Sequence, residues 1–144
     1  MDKWDVRYLG IAKEVATWSK DPSSKIGAVA VGAKGEILST GYNGFPRHMR
    51  DEDQRYENRE YKYAHIVHAE ENCIYNACRN GVSLLGASMY VHGLPCCSNC
   101  AKGIIQVGIN RVIMNGDPFN ERWRKSVELT IAMFNEAKVS YEFI

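Results

Sequence analysis

Two short stretches carry residues whose types and spacing suit metal chemistry. One residue separates His68 from Glu70, and two residues separate Cys97 from Cys100. One imidazole and two thiolates would give a zinc ion three protein ligands and leave the fourth tetrahedral position to water. Zinc lowers the pKa of such a water to roughly 7, so hydroxide forms at neutral pH. We found no second cysteine–histidine set, so the pattern predicts one catalytic zinc (Zn2+) per chain.

Glu70 is the predicted proton carrier. It stands two residues after His68, so on a regular helix it would face away from the metal side, and it need not bind the metal. A carboxylate near the activated water can take its proton, carry it to a ring nitrogen and later protonate a departing amine. H-x-E followed by P-C-x-x-C is the signature of zinc-dependent base deaminases. The pattern therefore predicts a hydrolytic deaminase.

Each half of the pattern also has a simpler interpretation. H-A-E alone is a common helix start, and a lone C-x-x-C is also typical of a thioredoxin-like redox pair. A structural zinc site would use Cys96 or His92 as its fourth ligand. Cys96 with Cys100 is another ligand pair, since Pro95 directly precedes Cys96. We favour Cys97 with Cys100, because both thiolates can then bind around one tight turn, and we expect Cys96 to be half-buried.

Composition argues against several other classes. The 144 residues are 45% hydrophobic and 24% charged, with a net charge of +1, which fits one globular domain over residues 1–144. Lys and Arg form no basic patch, so we expect a small substrate and no nucleic acid. We expect no membrane span and no signal peptide, hence a cytoplasmic protein. The five cysteines are clustered, which indicates metal or thiol chemistry, and Cys73 and Cys78 are expected in the core.

Periodicity places these motifs on a set of helices and strands. Helical spacing predicts helices over residues 4–15, 68–79, 100–107 and 123–134. β-rich runs predict strands over residues 26–31, 37–42, 88–92, 109–114 and 139–143. The region 43–63 is predicted to be a long loop with one helical turn that lies close to the site. The order α-β-β-α-β-α-β-α-β predicts an α/β fold with a mixed sheet between helices. Both ligand stretches fall at predicted helix starts, where the helix N-terminus stabilises a cysteine thiolate.

Four stretches resemble the deoxycytidylate (dCMP) deaminases of the zinc-dependent cytidine deaminase superfamily. They are residues 19–28 (SKDPSSKIGA), 41–46 (GYNGFP), 68–70 (HAE) before Asn72, and 97–102 (CSNCAK) before 104–109 (IIQVGI). The resemblance covers nearly the whole chain. It implies a three-layer α/β/α cytidine-deaminase-like fold with a five-stranded mixed sheet, and hydrolysis of dCMP to dUMP with release of ammonia.

The resemblance also implies contacts to a nucleotide substrate. Asn43 would bind the sugar, the Ala69 backbone would meet the pyrimidine ring, and Ser23 and Lys25 would lie near the phosphate. A lysine and a hydroxyl after a helix break suit a monophosphate. The structural alternatives are a turn residue for Ser23, a solvated charge for Lys25, and for Asn43 a side chain bonded to its own backbone.

The preferred nucleotide and its regulation stay open at this point. Glu71, Cys73 and His92 depart from the family's usual residues, and the loop over residues 93–96, which borders the ring pocket, is longer than its commonest form. CMP, dCTP, a nucleoside or a modified cytosine are alternative substrates, and a non-catalytic zinc-binding protein is the alternative of another class. The resemblance implies a homo-oligomer and dCTP and dTTP as allosteric ligands. His65 and His92 either contact the substrate or are structural.

Overall fold

A computed structural model describes residues 2–144 of the chain. Its helices are α1 (Lys3–Ala16), α2 (Asp53–Glu57), α3 (Arg59–His65), α4 (Ala69–Arg79), α5 (Ser98–Gln106) and α6 (Arg124–Ala137). Its strands are β1 (Gly27–Val31), β2 (Ile37–Tyr42), β3 (Ser88–His92), β4 (Arg111–Met114) and β5 (Ser140–Phe143). None of the helices in this described part of the chain has the length and apolar character needed to cross a membrane.

The strands form one mixed sheet in the order β2-β1-β3-β4-β5. β1 pairs antiparallel with β2 and with β3, whereas β3, β4 and β5 are parallel. The β1–β2 pair is the predicted hairpin, and its turn contains Gly35 at φ 83°. Parallel neighbours need crossover connections, which α5 and α6 supply. The prediction of a five-stranded mixed sheet is confirmed.

Alternate residues of the central strands face opposite helical layers. On one face Val29 packs with Leu9 of α1. On the other face Ala28 packs in a cluster that includes Cys73 of α4 and Ile104 of α5. All five residues of β1 are buried, which explains its uninterrupted apolar sequence GAVAV. The three-layer α/β/α arrangement follows, with α4 and α5 together on one side.

A buried ion pair ties α1 to the sheet. The side chain of Asp5 is 3% exposed, and its carboxylate accepts two hydrogen bonds of 2.8 Å from the Arg111 guanidinium on β4. The Tyr90 hydroxyl on β3 donates to the same carboxylate at 2.7 Å. The hydrogen bonds from Arg111, with that from Tyr90, hold the pKa of Asp5 well below its usual range. Asp5 therefore stays a carboxylate at neutral pH and joins α1 to two strands.

The structure differs most from prediction between residues 43 and 63, where a long loop with one turn was expected. Two helices, α2 and α3, follow one another there, and Gly44 pairs with Val67 in an isolated bridge. Asn58 begins α3, because its side chain accepts a hydrogen bond from the Tyr61 N–H at 3.1 Å. No residue of α3 is buried, so the helix has no apolar stripe for periodicity to detect.

Smaller corrections concern element ends and one cysteine. α5 begins at Ser98 rather than Cys100, while β4 and β5 begin at Arg111 and Ser140, slightly later than predicted. Cys73 lies in the core as expected, but Cys78 is exposed. Five residues span about 500° on a helix, so Cys78 lies well round the helix from the face that Cys73 buries.

Candidate active site

The two predicted ligand stretches lie where loops become helices. His68 is the N-cap residue of α4 and Cys97 is the N-cap residue of α5, and both have extended backbone, with ψ of 157° and 164°. Cys100 lies in the first turn of α5, and its backbone N–H donates to Cys97 Sγ at 3.4 Å. Helices α4 and α5 contact each other on one face of the sheet. Their N-termini therefore bring three side chains with metal-binding atoms together.

These three side chains have the spacing of a tetrahedral zinc site. His68 Nδ1 lies 3.3 Å from Cys100 Sγ and 3.4 Å from Cys97 Sγ. The ligand atoms of all three residues lie within 4.8 Å of one another. Tetrahedral zinc with bonds of about 2.0–2.3 Å places neighbouring ligand atoms roughly 3.5 Å apart. One imidazole and two thiols in this arrangement fit a zinc ion that keeps one open position.

The protonation states of the three groups depend on one another. Hydrogen bonding from Cys100, and then from His68, lowers the pKa of Cys97 to about 4. Hydrogen bonding to Cys97 raises the pKa of His68 to about 9. The pKa of Cys100 is raised because its thiol shares a hydrogen bond with Cys97 and is buried. One thiolate is thus present at neutral pH, while His68 and Cys100 must each lose a proton to bind a metal.

Glu70 lies in the first turn of α4 and is 4% exposed. The expectation that it faces away from the His68 side is wrong, since both residues line the same cavity. The angular spacing of a helix does not apply between them, because His68 has extended rather than helical backbone. Burial raises the pKa of Glu70 to about 7. A carboxyl group with such a pKa can both accept and donate a proton at neutral pH.

A cap and a close contact hold α4 in position. The Glu71 carboxylate accepts a hydrogen bond from the His68 backbone N–H at 3.4 Å, which explains the acid at this position. Helix α4 also packs tightly on β2. A Cβ atom added at Gly41 would lie 2.2 Å from the backbone nitrogen of Cys73. Only glycine at position 41 therefore lets α4 approach the sheet this closely.

Cys96 belongs to the core rather than to the metal-binding group. It is 0% exposed, not half-buried as expected, and its thiol donates to the Cys97 carbonyl at 3.4 Å. Burial raises the pKa of Cys96 well above its usual value. Thr130 of α6 donates to the Cys96 carbonyl at 3.0 Å and covers this segment, which explains the deeper burial.

A cavity of about 210 Å³ opens beside the metal-binding group. Ser23, Asn43 and Ala69, three of the predicted substrate residues, line it. Lys25 does not. It is exposed, and its ammonium group donates to the Ser19 carbonyl.

A buried carboxylate organises the cavity wall around Ser23. Asp21 is 1% exposed, and its Oδ1 accepts hydrogen bonds from the backbone N–H groups of Ser23 at 2.9 Å and Ser24 at 3.3 Å. Its Oδ2 accepts from Asn43 Nδ2 at 3.3 Å and forms an ion pair with Lys62 Nζ at 2.7 Å. Asp21 therefore joins the loop containing Ser23 and Ser24 to Asn43 and to helix α3.

Asn43 is fixed by its remaining polar atoms as well. Its Nδ2 donates to the Ser24 carbonyl at 2.8 Å, and its Oδ1 accepts from the Ile26 backbone N–H at 2.9 Å. These bonds cross from one segment to another. The alternative of a turn side chain bonded to its own local backbone therefore does not describe Asn43.

Much of the outer cavity wall comes from residues for which no role at the site was predicted, although the region 43–63 was expected to lie close to it. These residues are Tyr56, Arg59, Lys62, Tyr63, Arg122 and Trp123. Those in α3 stand at positions i, i+3 and i+4 after the Asn58 cap, a spacing that places them on one helix face. This spacing of polar residues after a capping residue was the feature of the sequence that could have predicted the helix and the face it turns to the cavity. Arg122 and Trp123 directly precede α6; Trp123 was predicted only as the start of the last helix, and no pattern placed either residue at the site.

His65 and His92 do not line the cavity. The His65 ring stacks on Tyr61 with centroids 4.0 Å apart, and its Nδ1 lies 2.7 Å from the Tyr61 carbonyl oxygen. His92 Nδ1 lies 2.8 Å from Asn115 Nδ2. These contacts favour the structural interpretation of both histidines.

The fold and the group of one histidine and two cysteines beside a buried glutamate define a class, the zinc-dependent hydrolytic deaminases. Residues 2–115 match the family model described as the cytidine and deoxycytidylate deaminase zinc-binding region. The chain therefore belongs to this zinc-binding deaminase family.

Individual relatives agree over most of the chain. A protein named as an uncharacterized deaminase in the luxG 3′ region of Aliivibrio fischeri is 38% identical over 146 residues, covering 100% of this chain and 95% of its own. The deoxycytidylate deaminase of Homo sapiens is 38% identical over 146 residues, covering 96% of this chain and 78% of its own.

Solved structures support the fold. The dCMP deaminase of the cyanophage S-TIM5 in its apo form matches with a TM-score of 0.77 at 23% identity, covering 100% of both chains. The same protein in complex with dCMP and dUMP gives a TM-score of 0.78 and covers 99% of that chain.

Proposed function

We propose that this protein catalyses the hydrolytic deamination of dCMP to dUMP, with release of ammonia. The observation that carries the proposal is the group formed by His68, Cys97 and Cys100 beside the buried Glu70 in one cavity. The comparisons support the choice of nucleotide, since the human relative is named a deoxycytidylate deaminase and the cyanophage structure contains dCMP and dUMP.

His68 Nδ1 and the sulfur atoms of Cys97 and Cys100 would hold one zinc ion per chain. When bound, zinc acts as a Lewis acid that lowers the pKa of a water molecule to roughly 7. Both thiolates lie at the N-terminus of α5, where backbone N–H groups and the positive end of the helix dipole favour the charged sulfur.

Glu70 would move the protons of the reaction. Its carboxylate takes a proton from the attacking water and delivers it to the ring nitrogen next to C4 of the cytosine. It then takes the remaining proton from the new hydroxyl group on C4, which becomes the carbonyl of the product, and gives that proton to the leaving amino group. A C4–O bond forms and the C4–N bond breaks, so one water is consumed and one ammonia released. A pKa of about 7 suits a group that must both accept and donate a proton at neutral pH.

Asn43 would bind the sugar through its carbonyl oxygen. Both N–H bonds of its amide point at Ser24 and Asp21, and Oδ1 accepts a hydrogen bond from Ile26. An amide oxygen has two lone pairs. The second lone pair of Oδ1 can therefore accept a hydrogen bond from a deoxyribose hydroxyl, and the fixed amide gives that acceptor a defined position.

Ala69 and Ser23 would meet the two ends of the nucleotide. Ala69 is the first residue of α4, so its backbone lies next to His68 and Glu70, where the pyrimidine ring must bind to react. Ser23 lies on the exposed side of the same cavity, at the end suited to a phosphate. Lys25 would reach a phosphate only by leaving the Ser19 carbonyl.

The proposal is tested with purified, zinc-loaded protein by following the loss of cytosine absorbance. dCMP is compared with CMP, dCTP, deoxycytidine and a modified dCMP. We expect dCMP to give the highest kcat/KM. Absence of dCMP turnover at one zinc per chain would contradict the proposed reaction. A preference for deoxycytidine would contradict the phosphate role of Ser23 and Lys25.

We also propose that residues 1–144 form a single domain that assembles as a homo-oligomer in the cytoplasm and responds to dCTP and dTTP. Exposed aromatic side chains support a contact between copies. Trp18 and Tyr42 are 52% and 41% exposed and lie edge to face, with ring centroids 6.1 Å apart. Sedimentation with and without dCTP or dTTP, alongside the dCMP rate, tests assembly and regulation together.

A further inference from the structure

Two cationic side chains from distant segments meet at the exposed side of the cavity. Arg59 and Tyr63 lie one turn apart on α3, and Arg59 Nη1 donates to the Tyr63 hydroxyl at 3.1 Å. Arg122, from the segment before α6, donates to the same hydroxyl oxygen. All three residues line the cavity whose buried end holds Glu70. The Tyr63 hydroxyl oxygen thus holds two guanidinium groups side by side.

The two guanidinium groups lack a carboxylate partner among the described residues, although Glu57 also lines the cavity. Within residues 2–144, neither Arg59 nor Arg122 forms an ion pair with a carboxylate. Arg124, only two residues from Arg122, shows the ordinary behaviour of a surface arginine, with Glu121 at 3.5 Å and Glu128 at 3.4 Å. Two like charges held together repel each other. An anion placed between them would relieve that repulsion.

The third cation of the cavity is already neutralised. Lys62, on the same face of α3, forms its 2.7 Å ion pair with the buried Asp21. This pair fixes α3 against the wall that contains Ser23, so Arg59 is carried on an anchored helix. Lys25, expected at the phosphate from the sequence, lies outside the cavity lining. The charge available to an anionic ligand is therefore that of Arg59 and Arg122.

We propose that Arg59 and Arg122, joined through the Tyr63 hydroxyl, bind the 5′-phosphate of the nucleotide and select monophosphates over nucleosides. The inference rests on the proposed function, because it assigns the phosphate of that substrate. Guanidinium groups form paired, charge-assisted hydrogen bonds with phosphate oxygens. Glu70 at the buried end and the two arginines at the exposed end then contact opposite ends of one nucleotide.

The test measures binding separately from turnover. Zinc-loaded Glu70→Gln protein is titrated with dCMP and with deoxycytidine by calorimetry, alone and combined with Arg59→Gln, Arg122→Gln or the control Arg124→Gln. We expect each of the first two changes to weaken dCMP binding by about 10- to 100-fold, the size of a lost charge-assisted hydrogen bond, and deoxycytidine binding by less than about 2-fold. Arg124→Gln should alter neither.

Two further variants separate phosphate binding from a general structural effect. Arg59→Lys keeps the charge but not the fork of donors, so it should recover part of the dCMP affinity. Tyr63→Phe removes the shared oxygen and should weaken dCMP more than deoxycytidine. Equal losses for both ligands, or unchanged dCMP affinity in Arg59→Gln and Arg122→Gln, would overturn the inference.

The outcomes also separate this inference from the proposed reaction. If the protein with Glu70 intact converts dCMP while the arginine variants keep full dCMP affinity, the phosphate assignment fails and the reaction stands. If dCMP binds in an arginine-dependent way but is not converted, the phosphate assignment stands and the reaction fails.

Discussion

Replacing Asp21 with asparagine would test how the loop containing Ser23 and Ser24 is held, without touching the metal-binding group. The Asp21 side chain is 1% exposed and accepts from two backbone N–H groups, the Asn43 amide and the Lys62 ammonium. Asparagine has nearly the same shape. The substitution therefore removes a negative charge and leaves the packing almost unchanged.

The size of the effect follows from the donors that lose their acceptor. The new amide oxygen can keep the bonds from the Ser23 and Ser24 N–H groups, but the new NH2 group would face Asn43 Nδ2 and Lys62 Nζ, which are donors themselves. Leaving one member of a buried ion pair unpaired costs about 3–5 kcal/mol. Because the Lys62 side chain is 15% exposed, we take the lower end, about 3 kcal/mol. For a chain of this size that corresponds to roughly 9 °C in Tm.

Urea unfolding of zinc-loaded protein at pH 7 measures this change, with metal content checked in parallel. A cycle of Asp21→Asn, Lys62→Met and the double variant should give a coupling of about 2 kcal/mol between the two side chains. Asp21→Asn should retain one zinc per chain and raise KM, since Asn43 loses an acceptor. A cost below about 1 kcal/mol without coupling would refute the role assigned to Asp21.

Three further predictions concern the metal ligands, the pH dependence of stability and the packing of α4. Metal analysis should find one zinc per chain in Cys96→Ala and none in Cys97→Ala; the reverse result would show that the ligand choice is wrong. The pKa of Asp5 is lowered in the folded protein, so its contribution is complete above the unfolded pKa of about 4 and is lost as the pH falls. Asp5→Asn should therefore cost about 2–3 kcal/mol at pH 7 and about 1 kcal/mol less at pH 3 in urea unfolding, because at pH 3 the carboxyl is largely protonated in the unfolded chain but not in the folded one; equal costs at both pH values would contradict this. Gly41→Ala should cost about 2–3 kcal/mol or more by displacing α4, whereas Gly10→Ala, with open space around it in α1, should be neutral or stabilising; similar thermal shifts in both variants would argue against close packing at Gly41.

The metal-binding group could be predicted because its two halves together match a known signature, although His68 meets the cysteines across about 30 residues of chain. Cys97 and Cys100 lie on one turn of the chain. Each ligand stretch begins a helix that the amphipathic pattern of its sequence predicts. The strands and the early hairpin were accessible for a similar reason, since each strand is a short run of apolar or alternating residues, whereas the order of the strands in the sheet was not predicted. The predicted orientation of Glu70 was wrong, because the extended backbone of His68 cannot be inferred from helical periodicity.

The outer half of the cavity depends on contacts that spacing cannot reveal. Asp21 meets Lys62, and Tyr63 meets Arg122, across long stretches of chain. Both contacts require helix α3, whose polar, unburied sequence lacks the apolar pattern used to predict helices. Lys25 was expected at the phosphate, but only the folded chain shows that it lies outside the cavity lining, whereas Arg59 lies within it.

The proposed deamination and the role of Glu70 are tested most directly by comparing the intact protein with Glu70→Gln at the same zinc content. Product analysis should find one dUMP and one ammonia formed for each dCMP consumed by the intact protein. Glu70→Gln should keep one zinc per chain and be slower by about 100-fold or more, as expected for a lost general acid–base group. Equal rates in the two proteins would contradict the acid–base role of Glu70. Absence of dUMP from fully zinc-loaded intact protein would contradict the proposed deamination of dCMP.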